Sequence, residues 1–587
     1  MNLTPEERQI GKDNFDEVVG STRRDFLKQG IAAGAVSGAG LGAMYFDYGK
    51  SVDNPVRIGI IGTGDEGSVL IGALNPDFVQ VVAIADIRPY NIHRAFHGDY
   101  YSPAALAARP GLIAKYGWKT EDEARKQVKV YTDQYDELFD NDDIEGVIIA
   151  LPLHLHDEAA IKAMRKGKHV LTEKLMAHSV HQCKEMARVA QETDRYLATG
   201  HQRHYNVLYD NAKHTIRRGL IGDVHHIRAQ WHRGNLPGKD SWKQPLPEGP
   251  DYTLRDFEVA LKEVRSKKDR RLLNEFVQAH PLFSKLRSWK GQLAKAKGKE
   301  FDLWQNRVAQ VEQQLADNVV KAETYGYQDR TLQGGDKRSA LEELIRWRLW
   351  NRTGGGLMVE LGSHQLDAAG IFIGAYWDNG HEALPLTVQG TGGRQLFPAD
   401  RDVADHVYCM YEYPGKEYYK DFETREVGDV NKKIVVTYSS INGNGFGGYG
   451  EMVFGTNGTL ILEREKEAML FKGSSTSSRV AVKKGSDGPT LDTTESGAPG
   501  QGAAIAKAAA GPVSRGYTEE IEHWAWCIRN PAPENQPRCH PAVAVADAVV
   551  ALTSNIAMKE NRRIEFKREW FDIDSDETPE GVKPRKV

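Results

Sequence analysis

Runs of apolar, mostly β-branched residues punctuate the first 150 positions of the chain. The runs at 56–61, 81–85 and 146–150 contain almost no polar residue, which is typical of strands buried on both faces of a parallel sheet. The first run leads through a glycine-rich turn into a helix-compatible stretch. The pattern predicts the fold class α/β, with an N-terminal parallel-sheet domain over residues 51–178.

Beyond residue 178 the pattern changes to alternating apolar and polar positions. The stretches 224–231, 434–439 and 458–462 alternate as half-exposed strands do. Helical spacing returns at 517–558, and a short strand is expected at 563–566. We therefore predict a C-terminal α+β domain over residues 179–587, with a mainly antiparallel sheet.

Two long segments do not follow this pattern. Residues 245–340 are charged and helix-compatible, which predicts an inserted helical hairpin. Within it, residues 261–300 hold 12 Lys or Arg against 4 Asp or Glu, so the segment is either a basic surface for polyanions or, as we favour, a solvated face. Residues 472–515 are rich in Ser, Gly, Thr and Ala, which predicts a flexible loop.

The N-terminal segment contains an arginine pair followed by an uncharged stretch. Residues 21–28 read Ser-Thr-Arg-Arg-Asp-Phe-Leu-Lys, and residues 29–46 carry no charge but five glycines. The segment resembles a twin-arginine export signal and is too glycine-rich for a good membrane span. We predict a signal and linker over residues 1–50, a periplasmic or otherwise exported protein, and membrane contact only through an uncleaved signal segment. A chance arginine pair in a flexible tail is the alternative.

Composition narrows the class of protein without naming a partner. The 587 residues exceed one ordinary core and predict two domains with extensions. A formal net charge of -4, with 27% charged residues, is typical of a globular protein and makes nucleic acid an unlikely partner. The four cysteines have no C-x-x-C spacing, so we expect neither a zinc cluster nor a disulfide framework.

A glycine motif follows the first predicted strand. Gly62 permits a tight turn, Gly64 lets the backbone approach a pyrophosphate, and Gly67 allows a helix to pack closely on the strand. Asp86 ends the second strand, 19 residues beyond Gly67, where an acid can bind the ribose hydroxyls. These features predict a Rossmann dinucleotide site for NAD, while Arg88 leaves NADP open. A purely structural glycine turn is the alternative.

The stretch after the third strand is similar to a known oxidoreductase family. Leu151-Pro152 with His156, then Gly167-Lys168-His169-Val170, then Glu173-Lys174, resemble in order and spacing the glucose-fructose oxidoreductase, inositol dehydrogenase and MocA (Gfo/Idh/MocA) family. Leu175 stands where the family has proline, which makes the turn after the lysine less rigid. The resemblance implies a set of residues that border the cofactor: Leu151, Pro152, His156, Glu173 and Gln202.

A second element, residues 354–367, resembles the Gly-Gly-x-x-x-Asp-x-x-x-His stretch of the same family. Glu360 replaces the aspartate and lies four residues before His364, on the same helical face. The resemblance implies that Lys174 hydrogen-bonds the reacting hydroxyl, that His364 moves its proton, and that Glu360 binds a hydroxyl or orients the histidine. The pairs His154/His156 and His201/His204 raise the possibility of zinc, but no metallohydrolase carboxylate spacing accompanies them, and we predict no metal.

The resemblance implies hydride transfer between a nicotinamide cofactor and a hydroxyl of a sugar, sugar derivative or polyol. Free NAD is scarce outside the cytoplasm, so export implies a tightly bound cofactor that is recycled in the site. Two alternatives stay open: a redox-neutral, NAD-dependent enzyme that cleaves glycosides by oxidation and elimination, and a nucleotide-bound protein without turnover. We also expect a homo-oligomer formed through the C-terminal sheet, and aromatic residues that line a sugar pocket: Trp231, Trp242, Tyr252 and Trp350.

Overall fold

The computed structural model describes residues 3–22, 43, 45–46, 48–49, 51–332, 334–377, 383–485, 488–494 and 514–585. The strands are β1 Val56–Ile61, β2 Val79–Ala85, β3 Lys129–Tyr131, β4 Gly146–Ile149, β5 His169–Thr172, β6 Leu197–Thr199, β7 Val224–His232, β8 Arg330–Thr331, β9 Lys337–Arg338, β10 Thr387–Gly393, β11 His406–Pro414, β12 Tyr419–Asp421, β13 Glu426–Val427, β14 Lys433–Ile441, β15 Tyr449–Gly455, β16 Gly458–Glu463, β17 Glu467–Lys472, β18 Arg479–Gly485, β19 Gly488–Thr494 and β20 Ile564–Glu565.

The α-helices are α1 Pro5–Thr22, α2 Asp65–Ala73, α3 Pro89–His97, α4 Pro103–Ala108, α5 Gly111–Tyr116, α6 Glu121–Gln127, α7 Asp136–Phe139, α8 His156–Arg165, α9 Val180–Thr193, α10 Val207–Arg217, α11 Leu254–Ser266, α12 Arg270–Ala279, α13 Pro281–Leu293, α14 Lys299–Ala316, α15 Ala340–Ile345, α16 Asn351–Gly354, α17 Ser363–Ile373, α18 Tyr517–Arg529, α19 Pro541–Glu560 and α20 Arg568–Phe571. A π-helical turn, Met358–Gly362, precedes α17.

The N-terminal domain is built on a parallel sheet of six strands in the order β3-β2-β1-β4-β5-β6. Strand β4 is buried along its whole length, as the apolar sequence runs predict for a parallel sheet. The sheet extends past residue 178, because β6 pairs with β5. The strand order changes direction between β1 and β4, where open α/β sheets bind ligands at the carboxyl ends of their strands.

The C-terminal domain contains an eight-stranded sheet in the order β17-β16-β15-β7-β14-β11-β10-β20. All its neighbours are antiparallel except β7 and β14. Helix α17 covers one face of the sheet, next to β7. The predicted α/β class and the mainly antiparallel second sheet are confirmed.

The insertion differs from the predicted hairpin, because residues 245–340 contain four helices, α11 to α14. They share a small apolar core of their own that includes Phe257, Leu261 and Val311. Helix α14 packs against α3 of the parallel-sheet domain. The helical periodicity gave the right type of element, but it could not show that short breaks divide the segment into more than two helices.

The prediction of a flexible loop over 472–515 is wrong for its first half. Strands β18 and β19 form an antiparallel hairpin within it, and Val480 and Leu491 are buried on the C-terminal core. Residues 495–513 lie outside the described residues. Low hydrophobic content misled the prediction, because a hairpin needs only a few inward-facing apolar residues.

Residues 5–22 form a helix rather than the predicted linker. Helix α1 packs on β17 and β18 and buries Phe15, Val18 and Val19. Polar contacts hold it there: the Arg8 guanidinium lies 2.6 Å from the carboxylates of both Glu463 and Glu467. The helix therefore belongs to the C-terminal domain. The arginine pair at 23–24 lies outside the described residues.

Helix α18 returns to the N-terminal domain and packs against β1, with Trp524 in direct contact with Gly146. Within the described ranges one helix, α19, is long and apolar enough to cross a membrane, and most of it is buried in the fold. It packs on α9 and α17, as a core helix does.

Candidate active site

The glycine loop between β1 and α2 forms one wall of a cavity of about 570 Å³. Gly62 has a φ of +84°, and a Cβ on Gly67 would lie 2.1 Å from the carbonyl oxygen of Gly62. At Gly64 a Cβ would find only Asn91 Nδ2, 3.8 Å away, so the backbone faces open space. Gly62 thus lies in a tight turn and Gly67 in close packing, as predicted, while the approach of a pyrophosphate at Gly64 stays a prediction; the N-terminus of α2 faces a volume suited to a dinucleotide.

Asp86 lies beside this loop and lines the cavity. Its carboxylate accepts hydrogen bonds from the backbone N–H of Thr63 at 2.8 Å and of Arg88 at 2.9 Å. The Arg88 side chain turns away to the insertion, where its Nε donates to Asp317 at 2.9 Å. Both side chains of this ion pair are buried, so the insertion is tied to the loop that follows the ribose acid.

The insertion also forms part of the cavity wall, through residues 324–327. The Tyr325 hydroxyl donates to Asp133 of the parallel-sheet domain at 2.8 Å, and Tyr327 is buried against His154. These contacts could not be predicted from sequence patterns, because the residues involved are far apart along the chain. The insertion therefore closes one side of the nucleotide cavity.

Three charged side chains meet at another part of the same cavity. Lys174 Nζ donates to the backbone carbonyl of Glu360 at 2.7 Å and lies 3.9 Å from its Oε2. Arg348 Nε donates to Glu360 Oε1 at 2.7 Å. Burial opposes ionisation of Glu360, but Lys174 and Arg348 outweigh it and lower the pKa of this carboxyl to about 2. The structure thus brings Lys174 and Glu360 together and adds Arg348, which the sequence analysis missed.

His156 holds the loops that carry the cavity residues. Its Nε2 lies 2.9 Å from the carbonyl of Leu151 and its Nδ1 lies 3.0 Å from that of Leu175. Its ring nitrogens are therefore engaged with backbone, and its contribution is to position the turn after Lys174. Leu151, Pro152 and Glu173 line the cavity as well.

Glu173 is a buried carboxyl at the cavity wall. Burial, and next the Glu66 carboxylate, raise the pKa of Glu173 to about 8. The side chain is therefore protonated at neutral pH. A protonated acid donates a hydrogen bond, which suits a neutral polar group such as an amide or a hydroxyl.

His364 and Gln202 do not line the cavity described above. His364 lies in the first turn of α17, almost completely buried, with its ring centroid 5.5 Å from that of Trp231. Burial, and next the Lys174 ammonium, hold the pKa of His364 well below its usual value, so the imidazole is neutral and is a weaker base than an ordinary histidine. Gln202 is buried and donates to the Tyr517 hydroxyl at 3.4 Å.

A buried group of ionisable residues lies behind His364. His201 Nδ1 lies 3.6 Å from Asp367, and His201 Nε2 lies 3.6 Å from Asp547. His204 Nε2 lies 2.8 Å from the second oxygen of Asp367. The donor atoms of His201 and the two aspartates are close enough together to hold a metal ion. The carboxylate oxygens of the two aspartates also face the ring nitrogens of the histidines, and the absence of a resident metal stays a prediction.

The glycine loop carries an acidic residue whose role the sequence did not show. Burial opposes ionisation of Asp65, but Arg94, Arg348 and Arg109 together hold the pKa of this carboxyl far below its usual range. Arg94 Nη1 donates to it at 2.7 Å.

Of the four aromatic candidates, Trp231 and Trp242 flank the Arg233 guanidinium, whereas Trp350 is fully buried and Tyr252 packs inside the insertion.

The fold and the cavity define a class: an α/β dinucleotide-binding protein with a second, sheet-containing domain. Residues 56–201 match the Gfo/Idh/MocA model, described as an oxidoreductase family with an NAD-binding Rossmann fold. Residues 56–201 are thus similar to the NAD-binding Rossmann domain of this oxidoreductase family, and the predicted cofactor class is confirmed.

Similar proteins include a "Glycosyl hydrolase family 109 protein" of Solibacter usitatus, 26% identical over 235 residues, which are 38% of this chain and 50% of that protein. The 1-carboxy-3-chloro-3,4-dihydroxycyclohexa-1,5-diene dehydrogenase of Comamonas testosteroni is 31% identical over 175 residues, 30% of this chain and 37% of that protein. The chain therefore spans half or less of these relatives. An NAD binding oxidoreductase structure from Klebsiella pneumoniae is 15% identical, with a TM-score of 0.48, over 88% of this chain and 100% of that one.

Proposed function

We propose that this protein is an NAD-dependent oxidoreductase that transfers hydride between a hydroxyl of a sugar, sugar derivative or polyol and a tightly held nicotinamide cofactor. The observation that carries the proposal is the group formed by Lys174, Glu360 and Arg348 at the wall of the dinucleotide cavity. An ammonium held at a fixed position beside the cofactor can stabilise the negative charge that develops on a reacting hydroxyl oxygen.

In the proposed reaction, the carbinol carbon loses a hydride, its oxygen loses a proton, and a carbonyl forms. The bound nicotinamide supplies the hydride acceptor. Lys174 holds the hydroxyl oxygen, and the family resemblance assigns the proton to His364, whose neutral ring lies on the sheet side, outside the lining of the cavity. Glu360 keeps Lys174 in place by accepting its hydrogen bond through the backbone carbonyl and by balancing its charge.

A cyclic, hydroxylated substrate is supported by two kinds of observation. The Comamonas relative is named as a dehydrogenase of a dihydroxylated ring, and the Solibacter relative carries a glycosyl hydrolase name. In this chain, Trp231 stacks on Tyr449 with ring centroids 4.3 Å apart and lies next to His364, and such aromatic rings often border sugar-binding sites.

Tight retention of the cofactor is supported by the insertion. Its Asp317 and Tyr325 bind Arg88 and Asp133 across the edge of the cavity. The Arg88 side chain is thereby held in an internal ion pair, while Asp86 lines the cavity. We therefore propose NAD in preference to NADP, because a 2'-phosphate would meet the Asp86 carboxylate without a free arginine.

A second candidate is NAD-dependent glycoside cleavage by oxidation and elimination, which the glycosyl hydrolase name of the Solibacter relative favours. The two candidates differ in outcome. A dehydrogenase converts one NAD to NADH per product, whereas the cleaving enzyme releases an aglycone and leaves the cofactor oxidised. A nucleotide-bound protein without turnover would show neither product.

The decisive experiment starts with protein purified without added nucleotide. Denaturation followed by mass spectrometry is expected to release NAD, and the holoprotein is then offered a panel of sugars, polyols and nitrophenyl glycosides. NADH absorbance reports the dehydrogenase and nitrophenol release reports the cleaving enzyme. A protein that holds no nucleotide and also ignores added NAD and NADP would contradict the proposal.

Export and assembly are further parts of the proposal. The arginine pair at 23–24 supports twin-arginine export, and replacing both residues with lysine is expected to leave the protein in the cytoplasm.

Tyr408 and Met410 are exposed on the outer face of the eight-stranded sheet, which supports a homo-oligomer through that face. Light scattering of the purified protein tests the second point.

A further inference from the structure

Arg233 lies just beyond the end of β7, near the proposed reacting group. Its guanidinium carbon sits 5.6 Å from the Trp231 ring and 5.9 Å from the Trp242 ring. Its Nε is buried and has no hydrogen-bond partner in the part of the chain that the structure describes. Arg233 is therefore a cation held between two indoles, with donor capacity left over.

The nearby carboxylates are already engaged by other cations. Glu360 is bound by Arg348 and lies beside Lys174. Asp240 is bound by Arg401 at 2.6 Å. Lys174, Arg348 and Arg233 all act on the carboxylate of Glu360, and Arg348 also lies 3.9 Å from Asp65.

The buried charge of Arg233 is costly without a close partner. Burial lowers the pKa of Arg233 from its usual value, and Glu360 only partly offsets this effect. A guanidinium that is largely removed from water and lacks a carboxylate is strongly favoured to pair with an incoming anion. The planar fork of arginine matches the two oxygens of a carboxylate.

The position of Arg233 relates it to the reacting end of the site. The ring centroid of Trp231 lies 5.5 Å from the ring centroid of His364 and 5.6 Å from the guanidinium carbon of Arg233. A ring that lies on this indole can place a hydroxyl near His364 and Lys174 and an exocyclic group near Arg233. The site is thus polarised, with proton transfer at one end and a cation at the other.

We propose that Arg233 is an anion subsite and that the substrate is a carboxylated sugar, a hexuronic acid or its glycoside, bound with its carboxylate on Arg233. This inference rests on the proposed function, because it specifies the substrate class of the same site. Lys174 acts on the hydroxyl, whereas Arg233 sets the specificity.

The test compares sugars that differ only at C6: glucose with glucuronate, and galactose with galacturonate. Binding to the NAD-loaded holoprotein is followed by quenching of tryptophan fluorescence, since Trp231 and Trp242 flank the subsite, and by calorimetry. At least one uronate is expected to bind roughly 10 to 100-fold tighter than its aldose, as a charge-assisted hydrogen bond provides. The preference should fall as salt is added.

The variant Arg233→Met keeps the aliphatic length and removes the charge, and Arg233→Lys keeps the charge without the fork. The methionine variant should lose the uronate preference while binding aldoses unchanged, and the lysine variant should retain part of it. Arg218→Met, at an exposed position of the same domain, is the matched control. Circular dichroism and thermal unfolding confirm that each variant is folded.

Three results would overturn the inference: equal binding of uronates and aldoses by the wild type, an unchanged uronate preference in Arg233→Met, or loss of NAD affinity in this variant as the main effect. Failure of the proposed function is separable. A holoprotein that oxidises neutral sugars without regard to C6 retains that function and refutes the subsite. Arg233-dependent uronate binding without turnover supports the subsite and refutes the oxidoreductase.

Discussion

The ion pair between Arg88 and Asp317 gives the sharpest prediction about cofactor retention. The variant Asp317→Asn keeps the size of the side chain and an acceptor for the Tyr90 N–H, which donates to Asp317 at 3.0 Å. It removes the negative charge that Arg88 contacts at 2.8 and 2.9 Å. The carboxylate side chain is 0% exposed and the arginine 9%, so water cannot readily replace the lost partner.

Removing one partner of such a buried pair typically costs about 3–5 kcal/mol. Because Arg88 lies at the rim of the cavity and can rehydrate when the insertion moves, we take a cost below this range, about 1.5–3 kcal/mol. If this cost falls on the docked position of the insertion, its open state becomes roughly 10 to 100-fold more populated. Cofactor release should accelerate by the same factor.

The assay loads the protein with NADH and follows the loss of bound-NADH fluorescence after a large excess of NAD is added. Asp317→Asn should release NADH roughly 10 to 100-fold faster than the wild type. Asp251→Asn, at an exposed position of the same insertion, should not differ from the wild type. Wild-type release kinetics in a folded Asp317→Asn protein would refute the idea that the insertion retains the cofactor.

Three further predictions concern the site and its scaffold. Lys174→Met should lower turnover by roughly 10² to 10⁴-fold with the cofactor still bound. Lys166→Met, at an exposed position, should leave turnover unchanged. Equal activity of the two variants would exclude a role of Lys174 in the reaction. Since the folded-state pKa of Glu173 is raised to about 8, the stabilising effect of this acid in the cofactor-free protein is complete below about pH 4.5 and is lost as the pH rises to about 8. In urea unfolding across this window, the free energy of unfolding of Glu173→Gln should therefore rise relative to that of the wild type as the pH increases. Parallel curves of unfolding free energy against pH would disprove the shift. Gly67→Ala places a Cβ 2.1 Å from a loop carbonyl, so it should lower the free energy of unfolding by about 1–3 kcal/mol and weaken NAD binding. Gly291→Ala, where a Cβ meets nothing within 4 Å, should have neither effect. A native-like melting temperature and NAD affinity for Gly67→Ala would contradict the packing argument.

Local sequence patterns were sufficient to predict the wall of the dinucleotide cavity that lies at the carboxyl ends of the parallel strands. Gly62 and Gly64 follow β1, Gly67 lies in the first turn of α2, and Asp86 directly follows β2. Parallel strands place their carboxyl ends at one edge of the sheet, so residues that follow adjacent strands must meet there. Lys174 follows β5 at the same edge, which is why a motif more than a hundred residues away from Gly62 could be placed beside it.

Elements whose stability depends on distant partners were predicted less well. Helix α1 was taken for part of a signal and linker, although its apolar face is buried on strands more than 400 residues away. The hairpin of β18 and β19 was predicted as a loop, because its few apolar residues stabilise it only by packing on the core of the C-terminal domain. In both segments the stabilising contacts are tertiary, and local propensity is a weak guide.

The sequence by itself determined the α/β class, the NAD-binding domain and the positions of Lys174 and Glu360 in a shared site, since strand order and short motifs constrain these features locally. Only the tertiary structure decided which charges face one another. Arg348, Arg233 and Asp317 have no recognisable motif, and their importance arises from burial beside Glu360, between two indoles and against Arg88. The energy of a charged group depends on the dielectric and on the neighbours that folding brings to it, and both are properties of the three-dimensional structure.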